Sequence, residues 1–358
     1  MIILTKCLGC GAPLQNTDPK VVGYTPKLEG GYCQRCFRLT HYDDVVMMVE
    51  QGVSDASVYE DVSKMDCLVC LVVDLFDLEG SLIPSLHRHI GDKDVLLIGT
   101  KRDLLPVTMS DNKLWRFVQS KLKEENIRVR GFCVCANKGR DGIDGVIEGI
   151  KMYSKGRPCV FMGAANVGKS SLINTLLRKE SITTSRYPGT TIAMMKIDSE
   201  YGDIYDTPGV KRRDNIVHYL NSQDIKKVLP TKTVKPRNYQ LYEPQSLALG
   251  GIVRVDLPEG KRTSVTCYCN DSIPIHRGKS EKAEELWNKH YGALLAPTLQ
   301  DCTYPKDFMR HEFTLEKDKK MDVMIHGFGW IAFSSEEKQR IAVYVPKVVG
   351  ITFGKSRI

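Results

Sequence analysis

The strongest constraint on this chain is an octet near its middle, Gly163-Ala164-Ala165-Asn166-Val167-Gly168-Lys169-Ser170. It follows an apolar run, Pro158–Met162, and opens a helix-like run, SSLINTLLRK, that starts with Ser170-Ser171. A strand that passes through GxxxxGKS into a helix is a P-loop. Its backbone N–H groups and the helix N-terminus surround phosphates. Lys169 is expected to reach the β- and γ-phosphates, and Ser170 to ligate Mg²⁺.

From residue 66 on, hydrophobic runs alternate with helix-like segments. The strand candidates are Cys67–Val73, Asp94–Gly99, Arg130–Cys135, Pro158–Met162, Thr191–Ile197 and Asp203–Tyr205. Alternation of this kind predicts an α/β fold, a mostly parallel sheet with helices on both faces. In such sheets the chemistry gathers at the carboxyl ends of the strands.

Those ends carry further motifs. Asp206-Thr-Pro-Gly209 follows the strand DIY. A carboxylate there holds Mg²⁺ through water, and the Gly209 amide meets a γ-phosphate. Pro188-Gly-Thr-Thr191 lies between the P-loop helix and the strand TIAMMKID, so Thr191 is the expected Mg²⁺ hydroxyl, favoured over Thr190. Thr100-Lys101-Arg102-Asp103 ends the strand VLLIG. A carboxylate at Asp103 accepts from both N1–H and the exocyclic amine of guanine. Adenine offers no such donor pair, so Asp103 selects GTP over ATP, with the Lys101 stem along the base. Thr stands at 100 where base-reading motifs usually carry Asn, which removes an amide and leaves its tie to the P-loop open. Cys135-Ala136-Asn137-Lys138-Gly139 has the look of a second base-reading loop, the Ala136 amide facing guanine O6.

Twelve cysteines divide into one metal set and a remainder. Cys7-x2-Cys10 and Cys33-x2-Cys36, with 22 residues between them, supply two thiolate clamps for one tetrahedral Zn²⁺. Such a site is closed and structural. Cys67 and Cys70 are also spaced CxxC, but on a strand they point to opposite faces and are expected in the core. The same expectation holds for Cys133, Cys135, Cys159, Cys267 and Cys269.

Charge is unevenly placed. Residues 1–210 hold 26 basic and 26 acidic side chains; residues 211–358 hold 25 and 17, so the whole net charge of +8 lies in the C-terminal part. Segregated positive charge suggests a polyanionic partner. Residues 221–240, with five basic side chains and one acidic, read as a helix end and an extended connector. Beyond lie the strand candidates GGIVRVDL, RTSVTCYC, KMDVMIHG, WIAFSS and RIAVYVP and one helix, Glu281–Tyr291, which predict an α+β domain. Tyr268, Trp287, Tyr291, Phe328 and Trp330 offer either base stacking or core packing; Trp287 and Tyr291, four apart on a helix, share one buried face. The longest apolar run, Cys67–Val73, is far short of the ~20 residues of a membrane span. No basic n-region opens the chain, so a cytoplasmic protein is expected.

The motif order departs from that of Ras-like GTPases, where the P-loop comes first. Here the base-reading motifs precede the P-loop, the Thr loop and DTPG, which is a circular permutation. With CLGCGAPLQ…YCQRCFRLTHYDDV in front, and with VVDLFDLEGS, GTKRDLL, GAANVGKSSLIN, PGTT and DTPGV, the chain resembles the YqeH family of circularly permuted bacterial GTPases. The resemblance covers essentially the whole length. It implies GTP hydrolysis and a role in small (30S) ribosomal subunit assembly, with rRNA or ribosomal protein as partner. The expected division is a treble-clef-like zinc domain over 1–45, a permuted GTPase domain over 46–220 and a basic RNA- or ribosome-binding domain over 221–358.

Val210 stands where Ras-like enzymes carry the glutamine that orients water, so slow intrinsic turnover is expected, about 10⁻⁴ s⁻¹. Either K⁺, held by Asn166, or the ribosomal partner then assists; Asn166 equally suits a purely loop-stabilising role. Val210 also keeps open a scaffold in which GTP is a sensed ligand with negligible turnover.

Overall fold

The computed structural model describes residues 7, 13–17, 23–28, 31–34, 60–136, 139–177, 184–186 and 194–358. Cys10, Cys36, Asn137, Thr190 and Thr191, all expected near a site, lie outside the described residues. The chain divides into two compact units: one takes residues up to Leu75, Ser81–Arg102 and Leu122–Lys211, the other Phe76–Gly80, Asp103–Lys121 and Arg212–Ile358.

The first unit is built on a seven-stranded sheet. Its strands are β1 (Leu68–Asp74), β2 (Val95–Thr100), β3 (Gly131–Val134), β4 (Cys159–Gly163), β5 (Thr184–Arg186), β6 (Met195–Ser199) and β7 (Gly202–Asp206). They lie in the order β3-β2-β1-β4-β7-β6-β5. Strands β3, β2, β1, β4 and β7 run parallel, and β6 and β5 join antiparallel. Both β1 and β4 are buried at every position. Unbroken apolar runs such as LVCLVV are what a parallel strand covered on both faces requires. The P-loop strand is the fourth visited, after those that carry the base-reading motifs, so the sheet is a permuted one.

Two helices hold one face. Helix α1 (Ile143–Ser154) contributes Val146 and Ile150, and α2 (Lys169–Leu176) contributes Leu172, Ile173 and Leu176, packed with Cys70, Leu96, Ile98 and Phe161. Truncating one of these, such as Leu172→Ala, costs about 2–5 kcal/mol through lost burial and the cavity left behind. Cys67, Cys70, Cys135, Cys159, Cys267 and Cys269 are buried as expected, whereas Cys133 is only half-buried at the margin of the core; burial pushes the Cys67 thiol up to about 11.

The second unit is mostly antiparallel β. One sheet orders β12-β9-β10-β16-β13 and the other β17-β14-β15-β11-β8. Their strands are β8 (Arg237–Leu241), β9 (Gln245–Leu249), β10 (Val253–Leu257), β11 (Thr263–Cys269), β12 (Ile275–Lys279), β13 (Phe308–Leu315), β14 (Lys320–Ile325), β15 (Gly329–Ser335), β16 (Gln339–Pro346) and β17 (Ile351–Lys355). Phe313 of β13 stacks on Phe353 of β17 at 4.6 Å and links the two sheets. Helix α3 (Ser222–Val228) precedes them, and α4 (Ala283–His290) packs Trp287 against Tyr291, Tyr304 and Phe308.

Of the two readings open for the aromatics, base stacking or core packing, this packing favours the core. Tyr268, Trp287, Phe328 and Trp330 are buried, Tyr268 and Trp330 stack on each other at 4.6 Å, and Tyr291 is half-buried in the α4 cluster. Among the described residues no helix is long and apolar enough to cross a membrane.

Candidate nucleotide site

From β1 the chain moves to β2 and β3 on one side; from β4 it moves to β7 on the other. The crevice between β1 and β4 is therefore the switch point at which open parallel sheets bind ligands. The strand ends meeting there carry Asp74 (β1), Thr100 (β2), Gly163 (β4) and Asp206 (β7).

The P-loop is held from β2 by two consecutive carbonyls. The Thr100 hydroxyl donates to Val167 O and lies 3.0 Å from Val73 O, so its single hydrogen is shared between them. The Lys101 ammonium donates to Asn166 O at 2.8 Å. In a trans peptide the C=O of one residue and the N–H of the next point in opposite directions. Pinning the carbonyls of 166 and 167 toward β2 therefore turns the amides of Val167 and Gly168 away from β2. Gly168 sits at φ 86, a left-handed conformation open to glycine without strain, and starts α2. Thr100 thus recovers through its hydroxyl the tie to the P-loop that the absent Asn amide left open.

Asp74 completes this arrangement and is absent from the sequence-derived site. It is buried, and its Oδ2 lies 2.5 Å from Lys101 Nζ. Its sequence signal is an acid closing the central strand beside the switch point, too common a pattern to single out without the fold.

On the other side, Lys169 is buried and its ammonium pairs with the Asp206 carboxylate and with Thr207 O. The Thr207 hydroxyl donates to Phe161 O at 2.9 Å and fixes DTPG to β4. Val210 N–H donates to Gly163 O at 3.1 Å, and Ala165 N–H donates to Val210 O at 2.8 Å. Gly209 lies against the P-loop; a Cβ there would stand 3.0 Å from Ala165 Cα. The Val210 side chain is buried. Ala164 and Val167 belong to the hydrophobic cluster of the sheet, while Ser170 and Ser171 are half-buried at the start of α2.

The base-reading residues follow β2 and β3. Cys135 is tied by N–H to Gly99 O at 2.8 Å and accepts from Arg102 N–H at 3.2 Å. The Ala136 amide, expected opposite guanine O6, donates to Asp141 O at 3.0 Å, a bond that has to open for it to meet a base. Asp103 lies in the 3₁₀ turn Arg102–Leu104.

The oxygens beside the P-loop suit the expected Mg²⁺, whereas only two of the four expected zinc thiols are among the described residues, and those residues hold no group of three or more His, Cys, Asp or Glu that could bind a metal ion. Ser170 and Asp206 offer the hard oxygens that Mg²⁺ takes. Cys7 and Cys33 are buried together, and Cys33 N–H donates to Cys7 Sγ at 3.1 Å.

Residues 158–244 match the family described as "50S ribosome-binding GTPase", and residues 262–357 match "YqeH-like, C-terminal". The Bacillus subtilis (strain 168) "Uncharacterized protein YqeH" is 36% identical, over 98% of this chain and 99% of that one. The Arabidopsis thaliana "NO-associated protein 1, chloroplastic/mitochondrial" is 28% identical over 93% and 70%, and the Homo sapiens "Nitric oxide-associated protein 1" 22% over 97% and 74%. A likeness that runs from end to end, on a chain whose strand ends assemble a P-loop site, makes this protein a GTPase of the YqeH family.

Proposed function

We propose that this GTPase acts in assembly of the small ribosomal subunit, binding rRNA or a ribosomal protein in a nucleotide-dependent way. The observation that carries the reading is the charge division: the net +8 lies wholly beyond residue 210, immediately after DTPGV. Backbone bonds hold Val210 to the P-loop, and Arg212 begins the second unit two residues later. A shift of DTPGV on a γ-phosphate is therefore carried along the chain into the basic unit. The division into a metal clip (1–45), a nucleotide domain (46–220) and a basic reader (221–358) belongs to the same proposal.

Within the site, Lys169 and the amides turned by Thr100 and Lys101 bind the phosphates, and Asp103 selects guanine. Ser170, Thr191 and Asp206 hold Mg²⁺, which neutralises developing phosphate charge. No side chain at 210 orients water, so assistance comes from elsewhere. Asn166 supports K⁺ in that role: its Oδ1 is buried without a hydrogen-bond partner among the described residues. An amide oxygen left so costs about 1–3 kcal/mol, and a monovalent cation relieves it. Faster turnover in KCl than in NaCl is expected, and equal rates remove K⁺. Zn²⁺ on Cys7, Cys10, Cys33 and Cys36 ties the N-terminal segment together; one equivalent per chain is expected by elemental analysis, lost in Cys33→Ser.

The test is co-sedimentation of the full chain with isolated ribosomal subunits in GDP and in a non-hydrolysable GTP analogue. Retention on small subunits that changes with nucleotide is expected. Retention only on 50S subunits, the particle in the description of the matched family, transfers the role there, and binding to neither subunit overturns it.

A further inference from the structure

Residues 226–242 carry a feature that GTP hydrolysis does not use. Lys226, Lys232 and Lys235 are exposed and form no ion pair among the described residues; Lys227 pairs with Asp224 at 2.9 Å. Pro230 and Pro236 stiffen the segment between α3 and β8. Strand β8 forms a sheet edge and exposes Asn238 and Gln240, each hydrogen-bonded to a hydroxyl of β11. At its end Tyr242 is 59% exposed, and the Arg262 guanidinium lies 5.7 Å from its ring centre. Arg262 also pairs with Glu336 at 3.1 Å. Unlike the aromatics buried in the core, Tyr242 presents its ring to solvent.

The segment is also fastened to the turn that carries the guanine reader. The Thr233 hydroxyl donates to Asp103 O at 2.7 Å, and Val234 N–H donates to Leu104 O at 3.0 Å. Val234 is buried, and the exposed lysines 232 and 235 flank these two anchors. A ligand that draws on those lysines pulls on the backbone of Asp103 and Leu104.

We propose that residues 226–242 form a contact strip for single-stranded RNA, and that its occupancy is transmitted to the guanine-reading turn through Thr233 and Val234. The proposal rests on the RNA-binding reading above and on Asp103 as guanine reader. Lysines without partners meet phosphates, amide side chains meet phosphate or 2′-OH, and an exposed Tyr beside Arg stacks a base. By reciprocity, a strand that changes affinity for GDP is itself bound with an affinity that GDP changes by the same factor.

The experiment measures binding of fluorescent oligouridylate to the full chain across salt concentrations, with and without GDP. The triple variant Lys226→Gln, Lys232→Gln, Lys235→Gln is expected to flatten the salt slope by about 2, at ~0.7 per phosphate contact. Tyr242→Ala is expected to weaken binding about tenfold. Oligouridylate is expected to change GDP affinity about fivefold in the parent chain. In Thr233→Val, which keeps the Val234 N–H bond to Leu104 O, that change is expected to shrink, while oligouridylate affinity without nucleotide and the melting temperature stay the same. Full affinity and slope in the triple variant overturn the strip and leave RNA binding elsewhere standing. An intact GDP linkage in Thr233→Val overturns the transmission alone. Tighter binding of polyglutamate than of oligouridylate assigns the strip to an acidic protein and overturns the RNA assignment. Failure of the parent chain to bind oligouridylate and small-subunit rRNA alike overturns the functional reading with it.

Discussion

Replacing Thr100 by Val removes a hydroxyl and nothing else of size. The side chain is 3% exposed, and Val occupies nearly the same volume, so no cavity forms. What is lost is the donor shared by Val167 O and Val73 O. A buried acceptor deprived of its donor costs about 1–3 kcal/mol. Part of that cost falls on folding, and the melting temperature is expected to drop by about 2–8 °C at ~2–4 °C per kcal/mol. The rest falls on nucleotide affinity. With the Val167 carbonyl unpinned, the peptide beyond it turns more freely, and the phosphate-facing amide of Gly168 is presented only part of the time. Apparent affinity falls by the fraction of time the loop is competent. A loss of about 1.4 kcal/mol weakens GDP and GTP tenfold. Thr100→Val is therefore expected to raise the dissociation constant of a fluorescent GDP analogue about tenfold, with turnover at saturating GTP within about twofold. Thr100→Ser keeps the hydroxyl and is expected to bind as the parent does. Parent-like affinity in Thr100→Val, or a Ser variant as weak as the Val variant, refutes the pin.

Asp74→Asn is expected to weaken GTP binding several-fold by loosening Lys101, and to add little in a Lys101→Met background; additive effects in that double-mutant cycle remove the coupling. Arg357 lies between Phe117 and Trp330, 4.6 and 4.8 Å from their ring centres, and pairs with Asp322 and Glu79. Arg357→Ala leaves the buried Asp322 carboxylate without its guanidinium and half-buried Glu79 with only Lys121, and is expected to cost about 3–5 kcal/mol in urea unfolding, against almost nothing if the pair is dispensable. His326 is buried between Asp214 and Thr352, each at 2.9 Å. Burial alone lowers its pKa, but the Asp214 hydrogen bond and the charges of Asp77 and Asp214 outweigh burial and Arg212, so the net shift is upward. A folded pKa above the unfolded value of about 6.5 gives stability that is complete below that pH and lost as pH rises through the folded pKa. Stability is expected to fall on going from about pH 6 to about pH 8, and less so in His326→Gln; equal slopes in both exclude His326 as the source.

Legibility in the sequence followed burial. The strands β1, β2 and β4 were placed to within a residue because parallel strands covered on both faces read as unbroken apolar runs. In the second unit, β10, β11, β14, β15 and β16 were visible, and all lie inside their sheets. The strands that escaped include all four edges, β8, β12, β13 and β17. An edge strand needs only one paired side and commonly carries charge, as Arg277 and Lys279 do on β12 and Arg310 and Glu312 on β13. Interior β9 escaped as well, because Gln245 and Ser246 interrupt its apolar pattern although both are buried. The P-loop and DTPG are short continuous motifs and were legible outright. Asp74 and Lys101 are 27 residues apart, and Asp214 and His326 are 112 apart. Neither pairing has a spacing that a sequence displays.

The same distance explains how the site tolerates its permuted order. Thr100 reaches Val167 across 67 residues, and Lys101 reaches Asn166 across 65. These contacts depend on β2 lying one strand from β4, across β1, and not on which strand the chain visits first. Strand order in the sheet fixes which carbonyls the hydroxyl and ammonium find, and the carbonyls fix where the amides point. The TKRD turn accordingly divides its labour. Its first two residues shape the phosphate end of the site, while the residues after β2, Asp103 among them, lie in the turn that Thr233 and Val234 fasten. A motif read as a base selector is, in its first half, bonded to the carbonyls of the P-loop. That role tolerates Thr for Asn because a carbonyl needs one donor hydrogen, which a hydroxyl supplies as well as an amide.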